Sequence, residues 1–227
     1  MPSFFDITNT FITIFGYEMS HLEFWATLTG GIAVWLSAKE NVWSWIIGLL
    51  NVVLAFVMFY QIQLYPDMLL QVFFFVTNII GFWQWKFPKQ LEANANNELM
   101  ISKLSTSQIG IVALIGVAGT SVLGTFAKNL HEIAPLVFNL PSAFPYIDSF
   151  ILTMSIAATF ILIRKKVEAW WIWLGVDLIA TYLYYIKDVK VYALLYATFC
   201  IIAIFGAIAW TRKYLKQGRI LVNGHRP

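Results

Sequence analysis

Charge is what this sequence has least of. Only 12% of its 227 residues are Asp, Glu, Lys or Arg, while 59% are hydrophobic and the mean hydropathy is +0.71. Soluble globular domains typically carry about 25% charged residues. A polytopic membrane protein is therefore expected. Cysteine is nearly absent: Cys200 stands alone in an apolar run, so no intrachain disulfide can form. His21, His131 and His225 all fall outside the long apolar segments, which leaves no intramembrane metal pair and no H-E-x-x-H motif. No G-x-x-x-x-G-K-[ST] loop occurs, so the chain holds no ATPase of that type. A single acid sits deep in an apolar segment, too few for paired-carboxylate chemistry, and a non-enzyme without cofactor or metal is expected. The first 20 residues lack a basic n-region and a small-residue cleavage site, so no cleavable signal peptide is expected. Their Phe and Ile positions predict a short amphipathic helix lying at the membrane interface.

What is present is length of apolar sequence. A spanning helix needs about 20 mostly apolar residues. Seven segments qualify: 22–38, 42–61, 66–86, 107–126, 146–163, 168–186 and 191–211. A polar linker follows the third, and a loop with Pro135, Pro141 and Pro145 follows the fourth. Lys and Arg divide unevenly between the two sides. One side carries Lys39, Lys86, Lys89, Lys103, Arg164, Lys165, Lys166 and five more from Arg212 to Arg226; the other has only Lys128, Lys187 and Lys190. The positive-inside rule then puts the N-terminus outside and the C-terminus in the cytoplasm.

The chain repeats itself. "WIIGLLN" from Trp45 aligns with "WIWLGVD" from Trp171, which pairs Asn51 with Asp177 at a shift of 126. After a gap the shift is 125, and Leu69, Leu70, Phe74, Gly81 and Trp85 match Leu194, Leu195, Phe199, Gly206 and Trp210. Three helices reverse direction, so a single helix between two copies restores a parallel orientation. The expected fold is all-α with seven transmembrane helices: two parallel three-helix bundles joined by a linker helix (3+1+3), N-out/C-in. Its parts are an N-terminal interfacial segment 1–21, repeats 22–86 and 146–211, a linker with helix four at 87–145, and a basic tail 212–227. Transporters place their substrate site at such a repeat interface, near the bilayer midplane.

Polar groups at that depth must be paired inside protein or face a water-filled cavity. Asp177 lies on the order of 14 Å from either end of its helix at 1.5 Å per residue. Helical phase gathers Gln71, Phe75, Asn78, Phe82 and Trp85 on the third segment. It gathers Trp170, Trp173, Asp177 and Tyr184 on the sixth, and Tyr192, Tyr196, Phe199, Ala203 and Trp210 on the seventh. Asn51 shares a face with Gly48 and Ala55. The bland reading of such amides is interhelical glue, worth about 0.6 kcal/mol each. Their recurrence in corresponding helices favours a binding cavity, with Trp45, Asn51, Gln71, Phe75, Asn78, Gln84, Trp85, Trp173, Asp177, Tyr184 and Tyr196 as candidate substrate contacts. Gln84 points about 140° away from Gln71 at 100° per residue, which suits a packing contact or gate. All tryptophans but Trp25 fall on the cytoplasmic ends, whereas a plain interfacial belt populates both.

"W-x5-N" in the second segment, "LY-x-D-x-x-LQ-x-x-F" from Leu64, "GFWQW" from Gly81 and "VD" followed by "LLY-x-x-F" resemble the PnuC family of vitamin transporters across about residues 22–212. Ile80 stands where that family commonly has Tyr, and Phe82-Trp83 where it has Trp-Tyr. The resemblance implies a 3+1+3 fold related to the SWEET sugar transporters and a multi-pass protein of the bacterial inner membrane. It implies uptake of nicotinamide riboside, a precursor for NAD biosynthesis, by facilitated diffusion that cytoplasmic phosphorylation makes one-way. The expected partners are that small molecule, the lipid bilayer and further copies of the chain in a homo-oligomer; nucleic acid is not expected. Alternatives are a carrier of thiamine or riboflavin, or a non-transporting membrane subunit of a larger complex.

Overall fold

The computed structural model of the chain describes residues 4–14, 16–62, 65–94, 96–133, 142–186 and 190–223. Leu64, Pro135, Pro141, Lys187, His225 and Arg226, invoked above, lie outside them. Among the described residues seven α-helices form: α1 His21–Ala38, α2 Trp43–Gln61, α3 Tyr65–Lys86, α4 Thr106–Ile133, α5 Pro145–Ile163, α6 Glu168–Ile186 and α7 Lys190–Asn223. Their starts lie within one residue of the apolar segments; only α4 and α7 run on well beyond them. Five of the helices (α2, α3, α4, α5 and α7) are long and apolar enough to cross a membrane. A capping box starts α1: the Glu23 N–H donates to the Ser20 hydroxyl at 3.2 Å, and the Ser20 N–H donates back to the Glu23 carboxylate at 2.8 Å.

The N-terminal segment is not a helix. It is an antiparallel hairpin of β1 Thr10–Ile14 and β2 Tyr17–Ser20. "TFITI" is rich in β-branched residues, and Gly16 supplies the positive φ of 81° at the turn. Ahead of the hairpin, Ile7 packs on Leu22, Ala26, Leu54 and Met58, and its N–H donates to the Gln61 side chain at 3.1 Å. That contact ties the segment to the end of α2.

Helix α2 packs between α1 and α3, and α6 between α5 and α7; α1 also meets α7, and α3 meets α5. Helix α4 packs on α5 through glycines: Gly116 lies under Met154, Gly119 under Thr153 and Gly124 under Tyr146. Small residues of this kind let membrane helices approach closely.

An offset of 125 relates the two halves in detail. Glu40 and Lys165, in the α1–α2 and α5–α6 turns, both have positive φ, 58° and 47°. Their N–H groups donate to Ser37 and Leu162 respectively, each at 2.9 Å. The Trp85 indole N–H donates to the Ile163 carbonyl at 3.1 Å, and the Trp210 indole N–H donates to that of Ala38, also at 3.1 Å. Trp210 is Trp85 plus 125 and Ile163 is Ala38 plus 125, so the two bonds are reciprocal and each half caps the other's first helix. On this register Trp170, not Trp171, corresponds to Trp45. Trp170 is buried and Trp171 is 54% exposed. Asp177 is then matched by Val52 rather than Asn51, and both of those positions are buried.

Gly81 and Gly206 make the same contact in each half. A Cβ at Gly81 would lie 2.6 Å from the Trp45 ring, and one at Gly206 2.6 Å from the Trp170 ring. Those rings are themselves buried and cannot give way. Gly81→Ala and Gly206→Ala are each expected to cost about 1–3 kcal/mol from overpacking. Gly175→Ala, with nothing within 4 Å of the added methyl, is expected to be neutral or to gain up to about 1 kcal/mol of helix propensity. Thermal melting of the three variants in detergent checks the contrast.

The linker also departs from its polar composition. Leu99 and Ile101 are buried in the cluster that contains Trp45, Trp85, Trp170 and Trp210. Ser102 pairs like a strand with the α5–α6 turn: its N–H donates to the Lys165 carbonyl at 3.1 Å, and its carbonyl accepts from the Val167 N–H at 3.0 Å. The linker thus crosses beneath the helix ends.

Candidate functional site

Four tryptophans close the linker end of the bundle. Trp45 meets Trp85 edge-on at 5.2 Å, Trp170 meets Trp210 at 5.5 Å, and Trp85 and Trp210 touch at 5.9 Å. The Lys165 ammonium lies 4.6 Å over the Trp85 ring and bonds to Glu40 at 3.3 Å. Glu40 also accepts from Lys213 at 2.9 Å. Burial pushes Lys165 below the usual lysine value, and Glu40 opposes that shift. Trp85 therefore does not face Asp177 and Tyr196 across a cavity, as its stripe predicts. The helical phase is right, but Trp85 stands 14 residues beyond Gln71, about 21 Å along the axis. Its faces are already taken. Trp45 joins it in the cluster, and Trp173 packs at the cluster's edge. The indole N–H groups of Trp45 and Trp170 are buried without an acceptor among the described residues. Each such donor costs about 1–3 kcal/mol unless something polar reaches it.

A second aromatic group lines α6 and α7. Tyr184 stacks on Tyr196 at 5.3 Å and 9°, and on Tyr192 at 5.5 Å and 26°. Tyr196 meets Phe199 edge-on at 5.9 Å. The stack extends outward to Tyr17 of the hairpin, 6.4 Å from Tyr192. The Tyr17 hydroxyl donates to Glu23 at 2.6 Å; burial, and then that bond, raise the phenol's pKa above its ordinary value. Two turns from Tyr184 on the same face of α6 lies Asp177. It is 4% exposed, and its carboxylate takes no hydrogen bond or ion pair among the described residues. A carboxylate so placed is costly unless a cation or donor joins it.

The amides separate. Asn51 donates to the Ala26 carbonyl at 2.6 Å and lies against Gly30, so it ties α2 to α1. Asn78 donates to Phe74 of its own helix at 2.8 Å, while its carbonyl oxygen presses on Gly48 of α2. Gln71 is buried. Phe75 is 41% exposed, with Val76 and Ile79 beside it, so the inner edge of α3 runs through Phe74 instead. Gln71 and Trp85 of the expected stripe are buried all the same, as is Thr77, so the inner face of α3 is turned only part of a roughly 100° step from the expected one. Gln84 lies in a surface groove with Trp83, apart from the other candidates.

Tyr192 stood on the α7 stripe, and its stacking earns it a place beside Tyr184 and Tyr196. Nothing in the sequence pointed to Tyr17 or Glu23, because their position depends on the hairpin folding back over α1.

A family model described as "Nicotinamide mononucleotide transporter" matches residues 20–212. The "Nicotinamide riboside transporter PnuC" of Escherichia coli K12 is 30% identical over 232 residues, which cover 95% of this chain and 97% of the relative. The protein of the same name from Neisseria mucosa is 27% identical over 195 residues, 82% of this chain and 70% of the relative. A solved structure, "Crystal structure of the Vitamin B3 transporter PnuC", superposes with a TM-score of 0.64 at 24% identity, covering 86% of this chain and 82% of that one.

Proposed function

Because the chain belongs to the nicotinamide mononucleotide transporter family, we propose that it carries nicotinamide riboside across the bacterial inner membrane by facilitated diffusion. The observation that carries this reading is the tyrosine stack of α6 and α7 with the buried Asp177, unpaired among the described residues, on the same helix face. The riboside is a flat pyridinium cation bearing a carboxamide and a ribose. Aromatic faces attract a desolvated cation by about 2 kcal/mol or more. Asp177 offsets its charge and can also accept from the ribose hydroxyls. Gln71 and Asn78 remain candidates for the ribose.

The 5′-phosphate is refused in this reading, whatever the family's title. The inward stripes hold no Lys or Arg, and the buried Lys165 is already engaged by Glu40 and the Trp85 ring. Asp177, with no His or Lys relay beside it among the described residues, also gives little basis for proton coupling.

The proposed arrangement has seven spans, including α1 and α6, in two parallel three-helix repeats about α4, N-out/C-in. The reciprocal contacts at an offset of 125 support the two repeats. The lysines and arginines at the linker end support the orientation. This conformation is then closed toward the cytoplasm by the tryptophans and the linker.

Liposomes holding only this protein are expected to take up labelled nicotinamide riboside saturably and without an ion gradient. The 5′-phosphate, thiamine and riboflavin are expected to compete poorly. Competition by the phosphate at similar concentration, or uptake that needs an imposed gradient, would refute the reading. A cysteine at Asn96, exposed in the linker, is expected to label from the cytoplasmic side alone.

A further inference from the structure

A groove of about 460 Å³ lies along the end of α3 where it meets the end of α5. Ile79, Ile80, Trp83 and Phe87 form an apolar wall, and Lys89 and Arg164 stand at the rim. Trp83 is 65% exposed, so its ring is free to meet a ligand. Both rim cations are exposed, and neither has an ion pair or side-chain hydrogen bond among the described residues.

The other half of the chain supplies an internal comparison. At an offset of 125, Ile80 becomes Phe205, Arg164 becomes Lys39 and Phe160 becomes Trp35. There the equivalent space is filled: Trp35 stacks on Phe205 at 5.0 Å, and Lys39 sits 4.6 Å over the Trp35 ring. Beside the α3 groove Phe160 turns instead to Phe73, at 5.7 Å. The wall beside Ile80, 44% exposed, is left open, and Arg164 covers no ring among the described residues.

We propose that this groove binds one anionic phospholipid. Its phosphate lies between Lys89 and Arg164, the Gln84 amide donates to its ester or glycerol oxygens, and an acyl chain runs along Ile79, Ile80 and Trp83. Charge and depth both select this occupant. The groove sits where a membrane-spanning α3 leaves the hydrocarbon, so its wall meets acyl chains and its rim meets headgroups. Two cations against one carboxylate, Glu92, leave a net positive rim, and basic pockets at this level recognise anionic headgroups. This role absorbs Gln84, which the substrate site does not. Since α3 and α5 belong to different halves, the lipid bridges the interface across which the halves contact one another. The inference rests on α3 spanning the membrane and is independent of the substrate's identity.

Brominated acyl chains quench nearby indoles, which makes Trp83 the reporter, with the Trp83→Phe variant giving the background from the other nine tryptophans. The purified protein in neutral detergent is titrated with dibrominated phosphatidylglycerol and, separately, dibrominated phosphatidylcholine. The anionic lipid is expected to half-saturate quenching at a lower mole fraction. Each cation near the surface contributes roughly fivefold, so Lys89→Gln with Arg164→Gln should weaken the anionic preference by roughly 30-fold. Lys216→Gln, which alters an exposed cation elsewhere, should leave it unchanged. Glu92→Gln should strengthen the preference by roughly fivefold, a gain that misfolding does not produce. Equal half-saturation by the two lipids, or a preference that survives loss of both cations, overturns the proposal. So does displacement of the lipid by about 10 mM inorganic phosphate, which would mark a small-anion site. A disulfide formed between copies of a Gln84→Cys variant in liposomes overturns it too, since a second protomer would then fill the groove.

Discussion

Glu40→Ala is expected to destabilise the protein by about 3–5 kcal/mol, the cost of breaking a buried ion pair from one side. The Lys165 side chain is only 5% exposed and that of Glu40 14%. Removing Glu40 leaves an ammonium with a tryptophan face and little else. The second partner of Glu40 behaves differently. Lys213 is 42% exposed, so Lys213→Ala loses a solvated pair worth about 0–1 kcal/mol. Adding Lys165→Met to Glu40→Ala should recover most of the loss, because an apolar side chain of similar length then fills the site without a charge. Denaturant or thermal unfolding of the three variants checks this. Equal effects for Glu40→Ala and Lys213→Ala would show that the site is wet and the pair weak. The pair also has a mechanical meaning. Glu40 and Lys165 occupy equivalent turns of the two halves, so any movement that separates the halves at this end must part them, together with the crossed bonds from Trp85 and Trp210.

The second large effect is expected at Asp177. Asp177→Asn keeps the shape of the side chain and removes its charge. If Asp177 faces a desolvated pyridinium, truncating one partner of that charge pair costs about 2–5 kcal/mol, or roughly 30-fold and upward in affinity. Thermal stability without substrate should stay level or rise, because a buried carboxylate without a partner is gone. A neutral substrate isolates the electrostatic part. The reduced, uncharged form of the riboside should bind the variant and the parent protein about equally, while the cationic form distinguishes them. Matched losses for both forms would mean that Asp177 acts through hydrogen bonds to the ribose or through folding. The tyrosine stack alone would then carry the cation.

How much of this was legible in sequence follows the range of the forces involved. Helix starts at Trp43, Thr106 and Glu168 were readable to within a residue, because apolar run length and turn residues act locally. The hairpin at Thr10–Ser20 was not. Over so short a stretch, Phe and Ile positions fit a period of 2 as well as one of 3.6, and β1 forms only because β2 folds back to satisfy its backbone. The repeat was legible from Gly81 and Trp85 recurring as Gly206 and Trp210. The choice between Trp170 and Trp171 was not, since the residues are chemically identical and only the partner glycine on the next helix decides which is buried.

Sequence by itself determined the membrane character, seven helical segments, the duplication and the stripes on which Asp177, Tyr184 and Tyr196 lie. These follow from composition and from the 100° step of a helix, which need no partner to be read. Tertiary structure alone decided depth and contact. It turned Trp85 from a cavity wall into part of a closure, moved Gln84 to an outer groove, and drew Leu99 and Ile101 from a polar linker into the tryptophan cluster. It also joined Glu40 to Lys165 across 125 residues of chain. A periodic pattern states which way a side chain points. What it meets there depends on helices whose distance in sequence carries no record of their distance in space.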